Sequence, residues 1–115
     1  MINFHTIKLF FFQRNKIIHR NINLRTIMIG YPRAPFGIKI SDFVHCQKVT
    51  DNKLSNINPT DENIQTLGFR APEVIIGLPY SYPIDMWSVG VVACYLYYRK
   101  PLFSGVNNYE MVRKS

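Results

Sequence analysis

Two cysteines in 115 residues, Cys46 and Cys94, stand in unlike contexts and in no paired spacing. That excludes a disulfide framework or a cysteine-based zinc site and leaves reduced thiols as the expectation. No acidic residue precedes Asp42. No apolar run reaches spanning length: the longest, Met86–Tyr98, is broken by Ser88, so no membrane span is expected. The opening "MINFHTIKLFFFQRNK" has only Leu9–Phe12 as an uninterrupted apolar run and no small-residue cleavage site after it, which argues against a secretory signal. Internal repeats and low-complexity tracts are also missing.

What is present is the composition of a folded chain. Hydrophobic residues make up 47% and aromatic residues 14%, which excludes disorder throughout. The length allows one domain at most, burying roughly 65% of its unfolded surface. The net charge is +7. Before Asp42 lie Lys8, Arg14, Lys16, Arg20, Arg25, Arg33 and Lys39. Such a stretch suits nucleic acid, an anionic membrane or phosphate, or is a solvated face. No arginine-rich run or interleaved aromatic platform marks it. The solvated face is therefore favoured, with a nucleic-acid-binding fragment kept as a minor alternative.

Periodicity divides the chain further. Phe4, Ile7, Phe10 and Phe11 are spaced for a helix over 2–14. Ile17–Ile18 reads as an extended stub, 19–25 as a polar loop, and Ile27–Ile29 and Ile38–Ile40 as a hairpin across a two-proline turn at 30–37. Residues 42–65 are polar and without period, which predicts a long mobile loop. "APEVIIG" predicts a short helix with Pro72 in its first turn. Residues 85–98 predict a helix apolar nearly all round, and therefore buried. "NNYEMVRKS" has the makings of a further helix. Exposed faces of the 85–98 helix and the aromatic stretch "KLFFFQ" are aggregation risks unless a partner covers them. The fold class is thus mainly α with a small β-hairpin.

The order of these parts resembles a known family. "HRN" at 19–21, the hairpin, Asp42-Phe43 twenty-three residues after His19, a long segment, "APE" at 71–73 and "DMWSVG" at 85–90 are similar to the landmarks of the C-terminal lobe of eukaryotic protein kinases. "FRAPEVIIGLPYSYPIDMWSVGVV", "PLFSGVNNYEMVR" and the hairpin "IMIGYPRAPFGIKISDF" resemble the homeodomain-interacting protein kinases and then the dual-specificity tyrosine-regulated kinases. The resemblance implies that 1–115 is a partial kinase-like domain, an α+β piece holding the catalytic loop, metal loop, activation segment and a buried helix. It places the nucleotide-binding lobe, with its glycine-rich loop and lysine, before Met1 and the last helices after Ser115.

The same resemblance assigns roles. The family's loop reads His-Arg-Asp-x-Lys-x-x-Asn; here it is His19-Arg20-Asn21-Ile22-Asn23-Leu24-Arg25-Thr26. Asn21 stands where an aspartate takes the proton of the incoming hydroxyl, and a carboxamide holds no proton near neutral pH. Loss of a general base costs on the order of 10²–10⁴ in rate. Asn23 stands where a lysine neutralises the moving phosphate. Thr26 stands where an asparagine holds magnesium, and is too short to reach it. Asp42 keeps the metal-binding position, but Val44 replaces the following glycine and is poorly suited to a positive φ. In the activation segment, Asn63 replaces a tyrosine and Leu67 an arginine, while Thr66 and Arg70 remain. Arg20 and Arg70 either hold an anion or bond to nearby carbonyls. Asp85 is expected to accept backbone N–H groups from the His19–Arg20 loop. Trp87 and Gly90 are expected to pack their helix into the core. Glu73 pairs in the family with an arginine farther downstream; with no substitute cation it must be exposed or the fold strained.

Four expectations follow. The chain is a serine/threonine kinase-family fragment, impaired and pseudokinase-like, which acts through a protein partner if at all. With an upstream nucleotide lobe it is an ATP-dependent kinase of reduced rate. The chain alone takes no cofactor, while ATP and magnesium are the family's. By resemblance its location is the nucleus or the cytoplasm.

Overall fold

The computed structural model describes residues 12–29, 38–49, 64–105 and 109. Of the helix expected over 2–14 only its last turn, residues 12–14, is described, and it is helical. The proline turn at 30–37, residues 50–63 and most of "NNYEMVRKS" lie outside the described residues; within that last segment Tyr109 is helical.

Strand β1, Ile17–Ile18, is the expected stub. Strands β2, Ile27–Ile29, and β3, Ile38–Ile40, form the expected hairpin, in the register Ile27↔Ile40, Met28↔Lys39, Ile29↔Ile38. Its period-two alternation places Met28 and Lys39 in solvent, while Ile27 and Ile40 turn towards the core. Residues 42–65 depart from the single loop expected. Gln47–Lys48 forms β4, antiparallel to β1 with Ile18↔Gln47, and the Val49 N–H extends the ladder to the Lys16 carbonyl at 2.7 Å. Two antiparallel pairs are therefore present among the described residues.

Helix α1, Pro72–Ile75, starts after an extended Ala71, with proline where its missing N–H costs nothing. It stops in a Schellman motif. The Leu78 N–H reaches the Glu73 carbonyl at 2.8 Å, the Gly77 N–H reaches Val74 at 3.2 Å, and Gly77 has φ +77. Helix α2, Pro83–Tyr98, likewise opens on proline and closes on Arg99 in the left-handed region. It is the element that joins two small cores. Ile84 packs with Ile18, Val49, Ile64, Ala71 and Tyr80, and Val89 packs with Phe12, Ile22 and Ile40.

The expectation that α2 is buried all round is corrected. Ile84, Asp85, Ser88, Val89, Val91 and Val92 are buried, but Met86, Leu96, Tyr97 and Tyr98 are exposed. The expected core packing of Trp87 and Gly90 is corrected too. Trp87 is 37% exposed and stacks on Phe103 with centroids 5.9 Å apart, and Gly90 is exposed. An apolar face reads the same in sequence whether or not something covers it. Among the described residues no helix is long and apolar enough to cross a membrane.

Candidate functional site: the 19–26 loop and its supports

The loop following β1 is anchored from below. The buried Asp85 carboxylate, in the first turn of α2, accepts the His19 N–H through Oδ2 at 2.7 Å and the Arg20 N–H through Oδ1 at 3.0 Å. Burial pushes the Asp85 carboxyl above its ordinary value, and the two backbone N–H bonds and the nearby Arg20 charge oppose that shift. Arg20 has φ +69. Its guanidinium donates to the His45 carbonyl at 2.6 Å and to the Tyr80 hydroxyl at 3.0 Å.

His19 is fully buried. Its Nε2 lies 2.9 Å from the Ser41 carbonyl, and its Nδ1 accepts the Asn21 N–H at 3.2 Å. A carbonyl only accepts, so this pattern selects the neutral Nε2–H tautomer. The ring meets the Phe43 ring edge-on at 5.2 Å, and Phe43 meets Phe12 at 5.7 Å.

The tip of the loop is a closed network of neutral groups. Asn21 Oδ1 accepts from the Thr66 hydroxyl at 2.9 Å and from Asn23 Nδ2 at 3.2 Å. Asn23 Nδ2 also reaches Thr66 Oγ1 at 2.9 Å and the Asn21 carbonyl at 3.1 Å. Asn23 Oδ1 accepts the Arg25 N–H at 2.7 Å. Thr26 is buried, and its hydroxyl accepts the Asn23 N–H at 2.9 Å and points its own proton at the Asn21 and Asn23 carbonyls, 3.2 Å from each. Each side chain at a substituted position is thus occupied within the loop or by Thr66.

Asp42 is exposed, and its Oδ1 faces the Val44 N–H at 3.4 Å. The difficulty expected at Val44 does not arise there: the positive φ, +61, falls on Asp42 itself, and aspartate tolerates that region better than valine does. Magnesium wants several oxygen ligands in octahedral order. Asp42 is a lone carboxylate, Thr26 Oγ1 is engaged, and no group of three histidine, cysteine or acidic side chains could hold a metal among the described residues. Of the two positions expected to hold magnesium, Asp42 therefore offers an oxygen to solvent, while the Thr26 hydroxyl is committed within the loop.

Of the two roles expected of Arg20 and Arg70, bonding to nearby carbonyls is seen for both. Arg70 is buried and donates to the carbonyls of Ile64 at 3.0 Å and Gln65 at 2.9 Å; burial also draws its pKa down. Glu73 is half-buried, and among the described residues no hydrogen bond or cation holds its carboxylate. Asn63 lies outside the described residues. Both thiols are free, and burial, with Asp85 nearby, pushes the Cys46 thiol up.

Gln65 was not legible as a functional residue. It has φ +66 and is 4% exposed. Its N–H donates to the Arg20 carbonyl at 2.8 Å. Its Nε2 donates to the Ile84 carbonyl at 2.9 Å and to Ser88 Oγ at 2.8 Å, and its Oε1 accepts the Ala71 N–H at 2.9 Å. The Ser88 hydroxyl in turn donates to the Phe69 or Ile84 carbonyl, at 2.8 and 3.2 Å. One residue, through its backbone and its side chain, thus ties the loop, the segment before α1 and α2 together. Ser88, a polar break in the apolar part of α2, was the available signal.

The comparisons with known proteins agree with this geometry. The model of the protein kinase domain family matches residues 6–115. Homeodomain-interacting protein kinase 2 of Mesocricetus auratus is 35% identical over 98 residues, which is 84% of this chain and 8% of the relative. Homeodomain-interacting protein kinase 4 of Homo sapiens is 34% identical over the same share of the chain and 15% of its own length. The chain therefore spans a small part of the relatives it matches. Among solved structures, the yeast RNA Pol II CTD kinase CTDK-1 complex contains a chain superposing with TM-score 0.80 at 26% identity, over 96% of this chain and 35% of the other. A kinase-like order of landmarks in the sequence, the fold they produce and these matches converge: the chain belongs to the protein kinase domain family.

Proposed function

We propose that the chain is part of the C-terminal lobe of a kinase domain similar to the homeodomain-interacting kinases, that it has lost efficient phosphotransfer, and that it acts through protein contact. The observation supporting this is the engagement of Asn21 Oδ1 by Thr66 and Asn23, at 2.9 and 3.2 Å. At the position where the family takes up a proton there is a neutral oxygen, already accepting two hydrogen bonds. The position that would neutralise the phosphate holds another carboxamide. Such residues act as a unit, so their losses are not additive, but each alone costs on the order of 10²-fold or more in rate. ATP and magnesium belong to the family's chemistry, and the nucleus or the cytoplasm is the location this reading assigns.

The test is phosphotransfer from labelled ATP with magnesium to a generic serine/threonine substrate, with the Asp42→Ala chain as control. No labelling above the control is expected; labelling above it overturns the reading.

A second reading is a serine/threonine kinase of reduced rate, completed by an upstream nucleotide lobe. The kept support of the loop, Asp85 beneath His19 and Arg20, favours it. The sequence upstream of the codon for Met1 separates the two.

A further inference from the structure

The backbone fixes which way the two amides of the loop tip face. The Arg25 N–H can only donate, so the atom it meets at 2.7 Å is Asn23 Oδ1, and the Asn23 amide nitrogen faces the other way. That nitrogen lies 3.2 Å from a terminal atom of Asn21, which must then be the acceptor Oδ1. The Thr66 hydroxyl accepts from Asn23 Nδ2 at 2.9 Å and donates to the same Asn21 oxygen at 2.9 Å. Turning the Asn21 amide over would set its N–H groups against those of Asn23. Asn21 Nδ2 is therefore directed out of the network. It carries two N–H donors, and among the described residues Asn21 bonds only through its backbone groups and Oδ1.

Charge at the tip has the same bias. No acidic residue lies within 19–26. Asp85, beneath the loop, is buried and accepts the His19 and Arg20 N–H groups. Arg25 is exposed, and its guanidinium has no partner among the described residues.

An aspartate at position 21 would turn an acceptor and a negative charge outwards. It would take the proton of an incoming hydroxyl and repel the phosphorylated form of the same side chain. A carboxamide with its oxygen held inwards reverses both preferences. Its outward group donates and carries no charge. A phosphoryl group supplies three acceptor oxygens and about two negative charges near neutral pH, and a guanidinium on the same tip suits it.

We propose that the tip of the 19–26 loop binds a phosphorylated serine or threonine side chain of a partner polypeptide, with Asn21 Nδ2 donating to a phosphoryl oxygen and Arg25 supplying the opposite charge. A polypeptide is the source, because position 21 is where the family receives the hydroxyl of a protein side chain. The proposal rests on the reading that the chain has lost phosphotransfer and acts by protein contact, and names the chemistry of that contact.

Asn21→Asp isolates the outward group. It keeps Oδ1 for Thr66 and Asn23 and exchanges only the outward N–H donors for a charged oxygen. An unchanged urea midpoint checks that the fold stays in place, and Arg25→Gln, at an exposed side chain, carries the test if it does not. The probe is a short neutral peptide with one serine, phosphorylated or not, labelled for fluorescence anisotropy. It is titrated with the whole chain in the absence of divalent cations, so that the exposed Asp42 recruits no bridging metal. The phosphorylated peptide should bind about tenfold more tightly than its counterpart. Asn21→Asp should remove that preference, and Arg25→Gln should lower it about threefold. Lys100→Gln, exposed beyond the far end of α2, makes the same change in net charge as Asn21→Asp and should leave the preference as it was. That control separates the site from the general attraction of a +7 chain for a dianion.

Equal binding of the two peptides by the native chain overturns the proposal. So does a preference that survives both Asn21→Asp and Arg25→Gln, or one that falls as far in Lys100→Gln. Displacement of the phosphopeptide by an equal concentration of ATP assigns the site to a nucleotide, and displacement by inorganic phosphate makes it a bare anion site; either result also overturns it. Absent preference with absent phosphotransfer sinks the phosphopeptide site alone; the preference together with phosphotransfer sinks only the impaired-kinase reading.

Discussion

The base and the tip of the 19–26 loop have diverged in kind. The base is held by buried, strongly polar groups: Asp85 beneath two N–H donors, and Gln65 joining three segments. The tip is held by weaker, neutral bonds among Asn21, Asn23, Thr26 and the exposed Thr66. The base is built on a buried carboxylate, while the tip is bonded through neutral side chains. The two respond to different demands. A buried polar group must be satisfied for the chain to fold at all. An ionic group at a loop tip answers only to the chemistry it performs, and a neutral amide replaces it there without cost to the fold.

That contrast can be broken by mutation. Asp85→Ala should have the largest effect. It strips the acceptors from the His19 and Arg20 N–H groups, at a cost of about 3–5 kcal/mol, read as a fall in urea midpoint or outright failure to fold. Gln65→Ala should cost about 2–3 kcal/mol, because the buried Ala71 N–H and Ser88 hydroxyl lose a partner; hydrogen exchange should rise first at Ala71. Asn21→Ala should cost under about 1 kcal/mol, since its side chain is half-buried and water replaces what is lost. An Asn21→Ala variant less stable than Gln65→Ala would reverse the comparison and make the tip structural.

How far this was readable in advance depended on the range of the interactions. The hairpin, the β1 stub, α1 and α2 were legible because alternation, helical spacing and proline placement are local signals. Strand β4 was not: Gln47-Lys48 has no strand-like composition, and its pairing comes from β1 thirty residues earlier. The substitutions at Asn21, Asn23 and Thr26 were legible against the family's pattern. What those side chains do instead was not, because it depends on Thr66, brought close by the fold. The same holds for Gln65, an unremarkable residue in a polar stretch until Ser88 and Ala71 are set around it.

By itself the order of residues determined the family, the main elements and the chemical groups absent from the loop, since each of these is written in identity and spacing along the chain. Only the tertiary structure decided which apolar face of α2 is covered, where Glu73 lies, and that the loop tip satisfies itself with amides. Those are properties of surfaces and hydrogen bonds between distant segments, and no local pattern carries them.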